Sequence, residues 1–535
     1  MFSQERGRNS SVTRVLLRLF IISSLILLGG SKIEAAGDPL VPVGDGPYQW
    51  VYDHIRSLQF RGYLLDLNPG ARPYLRREIA RSLIQSERQR DLSDSELTQV
   101  ELRLLERLRR EFASEMRWLE GGREQGWSHF YGADFRGLLE FSEGKRAELW
   151  ETLWLNAGAK FGQHFYLYGR FVFDRRLAQD TTYTGKVWRG LTALTDRAGF
   201  CLAYGKLRLQ MGRERYVWGV SRIESLVFSS EAFPIDQGHL DLTLGPLRFS
   251  SFAASLSAER ISPANDGAMQ YVNRYFSGHR VDLDIGNALH VGLSETVIYG
   301  GPGRSLEFYY LNPLVWYHVA QLNENRDDNT FFAFDLLVRP FRGTEAYAEL
   351  LIDDYQVEDR LPEDKEPNHY AYLLGLAFAD PLGLNGWEMF GEYLRITNWT
   401  YNQGCSWNRY QNRGRPIGNS LGPDGDRWEV GIEFWVHPRL EMTTVYTHLR
   451  SGEGSINSDW EEPWLTSTEE YAEDFPSGVV EKTNNFSFAA HYYADSRLQF
   501  KLGFNLHQID NYNNQRGDNE RWLNLSLTGI YSFIN

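Results

Sequence analysis

Residues 498–506 read Leu-Gln-Phe-Lys-Leu-Gly-Phe-Asn-Leu, and residues 523–528 read Leu-Asn-Leu-Ser-Leu-Thr. Every second position is apolar: Leu498, Phe500, Leu502, Phe504 and Leu506, then Leu523, Leu525 and Leu527, with Tyr531 and Phe533 continuing the row. A period of two marks a β-strand with one dry and one wet face. In the first run the wet positions include Gln499, Lys501, Asn505 and His507. Strands this long and regular, on a chain that opens with an export signal, point to a membrane barrel. Leu498 through Leu506 then meet lipid, and Lys501, Asn505 and His507 face a lumen.

The same period sets in near His129. Phe165, Leu167, Phe171 and Phe173 alternate with Tyr166, Tyr168, Arg170 and Asp174. Val281, Leu283 and Ile285 alternate with Asp282 and Asp284; Ala346, Ala348, Leu350 and Ile352 alternate with Glu345, Tyr347, Glu349 and Asp353. Val430, Ile432, Phe434 and Val436 alternate with Glu429 and Glu433. Charge is costly against lipid, so Arg170, Lys206, Arg208, Asp282, Asp284, Glu345 and Glu349 are expected in the lumen. About eighteen such segments can be marked. Short turns (near 162–164, 245–246, 286–287, 342–343, 437–438 and 495–496) largely take turns with long polar stretches (175–196, 213–237, 257–274, 299–329, 398–425 and 450–481). A sandwich has no reason to keep that asymmetry, whereas an outer-membrane barrel does. Tyr204-Gly205 reads either as a hairpin or as the middle of one strand.

The 535 residues suffice for several soluble domains or for one large barrel with an appendage. Mean hydropathy of −0.44 excludes a bundle of membrane helices but not a barrel. A net charge of −14 argues against a nucleic-acid partner. Cys201 and Cys405 are too few and too distant for a metal knuckle. Arg6, Arg8, Arg14 and Arg18 precede an apolar stretch from Leu19 to Leu28 and small residues at Ala35 and Ala36. A run of about 10 apolar residues fits a signal peptide, whereas a membrane span needs about 20. Residues 37–47 then read as an exported leader. Helical spacing follows: Tyr52, Ile55 and Leu58 share a face, Gly62 ends that helix, and Pro73 opens a second through Ile79 and Leu83. Ser93 or Asp94 caps a third carrying Leu97, Val100, Leu104 and Leu108. The expected fold is mainly β: residues 1–36 a signal peptide, 37–125 a small periplasmic α-helical bundle, and 126–535 a barrel of about 18 antiparallel strands in the bacterial outer membrane. With bundle and C-terminus both periplasmic, the long loops lie outside.

Three stretches carry a family likeness. The first is Gly212-Arg213-Glu214-Arg215-Tyr216-Val217-Trp218-Gly219 with Ala232-Phe233-Pro234-Ile235-Asp236. The second is Tyr310-Leu311-Asn312-Pro313 with Tyr317-His318 and Asn329; the third is Glu349-Leu350-Leu351-Ile352-Asp353-Asp354. Together with Val51-Tyr52, Ile55, Arg72-Pro73 and Arg77-Glu78-Ile79-Ala80, they make the chain resemble the Wzi-type capsule-assembly proteins. The resemblance implies an eighteen-stranded barrel with a periplasmic helical bundle, acting as a non-catalytic lectin that holds capsular polysaccharide. The N-terminal spacing is also similar to one S-layer-homology helix pair, though a plug or docking element fits better.

Each motif has two readings. Arg213 and Arg215 either brace the wall through ion pairs or bind acidic sugars with their guanidinium forks. Trp218 is a girdle residue or a stacking platform, and Tyr216 lies in the same stretch. Residues 307–321, with Asn312, Trp316 and His318, are too apolar for a solvated loop and are expected to fold inward and constrict the pore. Asp353 and Asp354 form a solvated rim or join Asp327 and Asp328 around a cation. No His-Glu-x-x-His helix or phosphate-cradling Gly loop appears, so neither enzyme activity nor a cofactor is expected. The expected partners are surface polysaccharide, outer-membrane lipid, and periplasmic or capsule-export proteins through the bundle. The rival is a porin-like channel for small solutes: an inward 307–321 segment favours a binder, a peripheral one a channel. An outer-membrane hydrolase, the third reading, requires a convergent acid/base pair.

Overall fold

The computed structural model describes residues 38–534 apart from 94–96, 122–125, 181–182, 262–268, 356–365, 467–470, 472 and 496. The alternating segments close into one barrel of eighteen antiparallel strands. The first six are β1 (Trp127–Ser142), β2 (Glu148–Phe161), β3 (Phe165–Asp174), β4 (Thr192–Tyr204), β5 (Leu207–Glu214) and β6 (Ile235–Leu244). Next come β7 (Leu247–Ile261), β8 (Gln270–Ile285), β9 (Leu289–Gly301), β10 (Asn329–Val338), β11 (Thr344–Asp354) and β12 (His369–Ala379). The last are β13 (Trp387–Ile396), β14 (Gly425–His437), β15 (Leu440–Ser451), β16 (Glu481–Tyr493), β17 (Leu498–Asp510) and β18 (Asn519–Ile534). The seam joins β1 to β18 from Gly132 opposite Ile534 to Ser142 opposite Asn524. Among the described residues closure leaves the barrel no unpaired strand edge, the condition for β-structure in lipid.

One end of the barrel carries tight turns, and the other carries every long connection. Tyr204-Gly205 is a hairpin: Tyr204 pairs with Leu207, and Gly205 takes the left-handed φ of +57° that the turn requires. The closing strands behave as their alternation demands, with Phe500, Leu502, Leu525 and Leu527 exposed on the outer wall and Gln499 buried inside. Lys206 departs from the lumen expectation: it sits exposed in the hairpin turn. Among the described residues no helix is long and apolar enough to cross a membrane.

Among the described residues four helices precede the barrel: α1 (Gln49–Phe60), α2 (Arg76–Ser93), α3 (Gln99–Glu111) and α4 (Ala113–Leu119). Trp50, Val51, Ile55, Leu58, Ile79, Leu83, Leu104 and Leu108 form their shared core. Helix α2 starts at Arg76 rather than beside Pro73. The cap of α3 is Thr98, whose hydroxyl accepts from Glu101 N (3.3 Å) while the Glu101 carboxylate accepts from Thr98 N (2.8 Å). Ser93 instead ends α2, and Asp94 lies outside the described residues, as does the signal-peptide stretch. Residues 38–46 are not a free leader. Leu40 packs among Phe130, Tyr166 and Tyr168 of the inner wall, and Asp38 binds Arg197 at 2.7 Å.

The lumen is filled from both ends. Helix α1 enters at the tight-turn end, where Arg61 meets Asp380 at 3.1 Å and Arg56 meets Glu345 at 2.5 Å. From the opposite end the 215–234 and 397–424 loops turn inward. Their Trp218, Phe228, Tyr401, Tyr410 and Ile417 pack on Phe252, Phe276, Phe331 and Leu373 of the wall. The two fillings touch: Ala71–Arg72 forms a short ladder with Val217–Trp218, and Gly219 N donates to Gly70 O at 2.9 Å.

The 307–321 segment contradicts the expected constriction. It holds α5 (Phe308–Leu311) and the first part of α6 (Tyr317–Glu324), whose Tyr310 and Tyr317 pack on Val297 and Tyr299. In β9 the inward residues are the even-numbered ones, such as His290 and Ile298, so Val297 and Tyr299 face out. The segment therefore lies on the outer wall. The plugging role falls to other loops, so its peripheral position does not make the barrel a channel.

Candidate functional site

A cleft of about 600 Å³ opens inside the mouth at the long-loop end. Inward positions of β1–β4 contribute Arg136, Glu140, Trp150, Trp154, Asp174 and Asp196. Loops add Arg176, Asp180, Arg215, Glu231, Phe233 and Arg415, and the N-terminal segment adds Asp45. These strands place Trp150, Thr152 and Trp154 on one face because a strand repeats every second residue.

The charges are paired, and the aromatic rings carry cations. Arg136 reaches Asp45 at 2.7 Å, and Arg215 reaches Asp196 at 2.7 Å while donating to Ala232 O at 3.1 Å. Trp150 Nε1 donates to Glu140 at 3.0 Å. The guanidinium groups of Arg136 and Arg170 lie 5.2 and 5.4 Å from the Trp154 ring, and that of Arg415 lies 4.8 Å from Phe233. The Asp45 carboxyl loses part of its solvation beside the wall, but the facing Arg136 outweighs this and holds the group below its usual range. Ring faces beside forked donors and carboxylate acceptors suit a polyhydroxylated or acidic ligand bound by stacking and hydrogen bonds.

A second aromatic cluster stands in the loops after β13 and β15. Trp399, Trp460 and Trp464 have ring centroids 5.2, 5.6 and 5.9 Å apart, and His369 lies 5.8 Å from Trp460. Close by, Asp354, Glu366 and His369 bring donor atoms within 4.8 Å of one another, a set able to hold a divalent ion.

The residues singled out from sequence do not assemble into one site. Of the nine, Arg215 alone lines the cleft. Arg213 shares the outward face of β5 with Leu209 and Met211 and forks onto Asp236 at 2.9 and 2.5 Å. Tyr216 is core, stacked on His239 at 4.2 Å and donating to Gln210 at 2.7 Å. Trp218 is buried between Phe228 and Phe252. Asn312 and Trp316 stand exposed on the outer-wall segment, and His318 N donates to Glu295 at 2.8 Å. Asp353 accepts from Tyr401 N at 2.7 Å. The grouping of Asp353 and Asp354 with Asp327 and Asp328 does not form, because Asp328 is held by Arg304 and Tyr310, and Asp327 lies near Cys405. The cleft residues missed from sequence had one signal: Trp150 and Trp154 sit on the wet face of their strand, where large rings need a partner.

The sequence model of the capsule assembly protein Wzi family matches residues 151–522. The chain belongs to this family. No curated protein sequence matches the chain. Among solved structures, Wzi of Escherichia coli, an outer-membrane protein involved in group 1 capsule assembly and described as a carbohydrate-binding barrel, superposes with a TM-score of 0.60 at 14% identity. That match covers 92% of this chain and 99% of the other. OccD3 of Pseudomonas aeruginosa gives a TM-score of 0.44 at 11% identity over 76% and 91% of the two chains, and OprD of the same organism gives 0.44 at 11% over 77% and 97%. This Wzi-family member is thus an outer-membrane barrel: its wall is closed and its belt is apolar.

Proposed function

We propose that this Wzi-family barrel binds and organises surface polysaccharide, capsular where a capsule is made, without catalysis. The observation that carries the reading is the cleft at the long-loop end, lined by Trp150, Trp154 and paired arginines and carboxylates, above a lumen filled by protein. The carbohydrate binding described for Wzi of Escherichia coli supports it. In this reading the long loops face outward. Residues 1–36 direct export, and the bundle within 37–125 sits on the periplasmic side, where it meets capsule-export or other periplasmic proteins. Outer-membrane lipid surrounds the barrel at 126–535. Many weak contacts to a repeating polymer then sum through multivalency.

The test is direct binding of purified capsular oligosaccharide by calorimetry. Trp150→Ala should lower affinity about tenfold, the effect of losing ~1.4 kcal/mol of stacking, with unchanged heat-modifiability of the barrel on semi-native gels. Cells lacking the protein should shed polysaccharide into the medium. Unchanged retention together with no measurable binding would overturn the reading.

A further inference from the structure

The outer wall changes character beneath the 302–328 loop. Across three strand pairs, Val281 faces Leu293, Leu293 faces Phe334, and Phe334 faces Leu350. All four are exposed on the lipid side. Two residues further toward the long loops, on the same face, His279 faces Glu295 and Glu295 faces Phe332. Beyond them Ser277 faces Val297, which faces Thr330. Glu295 is the fourth outward residue of β9, after Leu289, Val291 and Leu293; the fourth outward residue of β17 is Phe504. A membrane strand crosses in about 9–11 residues, so this polar strip lies within the height of the apolar belt.

The strip is nevertheless covered. Glu295 is buried, bound by His279 Nε2 at 3.1 Å and His318 N at 2.8 Å. The Tyr317 ring lies 4.6 Å from His279, Tyr310 4.6 Å from Tyr299, and His318 5.8 Å from Phe332. The flap is clamped at its base. Arg304 binds Glu307 at 2.6 Å and also Asp328, Tyr310 donates to Asp328 at 2.8 Å, and Gln321 donates to the Asp328 carbonyl at 2.6 Å. Large apolar groups stand open on the rest of this flap: Phe308, Leu314, Trp316, Val319 and Leu322 are 48–86% exposed, with Asn312, His318, Asn323 and Glu324 exposed among them.

We propose that this flap is immersed in the bilayer. Its tyrosine face seals the His279–Glu295 pair from lipid, and its Phe308, Leu314, Trp316, Val319 and Leu322 face continues the apolar belt among acyl chains. Lipid is the occupant because the flap borders the exposed Val281, Leu293 and Phe334 row directly, and five large exposed apolar groups close together mark a surface that contacts membrane or another protein. The inference rests on the membrane barrel and is independent of glycan binding.

In a Cys405→Ser background, with Cys201 buried in the wall, single cysteines replace Leu314, Trp316 or Val319. Leu502→Cys serves as a belt reference and Arg516→Cys as a loop reference. Each carries an environment-sensitive fluorophore in phosphatidylcholine vesicles, and semi-native gels confirm that each barrel is folded. Labels on the flap should be quenched by doxyl-lipid to within twofold of the Leu502 position and be protected from aqueous cobalt. Quenching by cobalt to the level of the Arg516 position would overturn the proposal. Protection from both quenchers, with a doubled mass in detergent, would overturn it in favour of contact with a second copy.

Discussion

Arg280 has no exposed surface, and its charge is matched entirely within the wall. It binds Asp282 at 2.6 Å and Asp335 at 2.6 Å, while His290 holds Asp284 at 2.7 Å beside them. Removing one member of such a set leaves uncompensated buried charge. Arg280→Met should therefore destabilise the barrel by about 3–5 kcal/mol, seen as a lower temperature for conversion of the folded to the unfolded band on semi-native gels. Arg280→Lys should fall between, since it keeps the charge and loses the fork. That these charges face inward was legible from parity. Their partners were not, because pairing depends on the register of strands distant in sequence. Parity also holds the fate of Arg213, which follows Leu209 and Met211 on the outward row, whereas nothing local says that Trp218 turns into the lumen.

Helix α1 shows what an element adds. Its His54 is ringed by Trp50, Trp435 and Tyr493, and Arg107 lies over the Trp50 and Tyr493 rings. Burial holds the His54 imidazole well below its usual value near 6.5, and the charges of Arg107 and His491 add to the effect. A depressed folded-state value means the neutral ring stabilises docking fully above about 6.5, and this stabilisation is lost as pH falls below it. Protease cleavage of the bundle should thus accelerate between pH 7 and pH 5, and His54→Phe should flatten that dependence; equal profiles would rule out His54 as the cause. The helices were legible from their apolar spacing. The start of α3 was not, since Ser93, Asp94 and Thr98 all have cap chemistry and the Glu101 partner decides among them. The 307–321 segment is the opposite case: its apolar content was legible and its direction was not, because an apolar loop can bury itself against either side of a wall.

For the whole molecule, the alternation of period two and the unequal connections were enough to give a closed barrel of eighteen strands. They gave no access to the lumen, which is filled by segments that meet only in three dimensions. Planar-bilayer recordings should accordingly show no steady porin-like conductance for the full chain. Shortening the 397–424 loop, which supplies Tyr401, Tyr410 and Ile417 to the filling, should raise leak conductance at least tenfold, whereas substitutions on the 307–321 flap should not. A large open current from the full chain would restore the channel reading. The cleft was the least legible part, since its walls come from four strands, several loops and the N-terminal segment.

That last contribution has a mechanical meaning. Val41 N donates to Tyr74 O at 3.0 Å and Arg76 N to Pro39 O at 2.9 Å, so the strand-like stretch is anchored to the start of α2. A few residues on, Asp45 holds Arg136 in the floor of the cleft. One short length of chain therefore behaves as a tendon through the barrel. Tension applied to the bundle at one end of the barrel would be felt at the Asp45–Arg136 pair in the cleft, and a ligand that grips Arg136 would slacken the same cord.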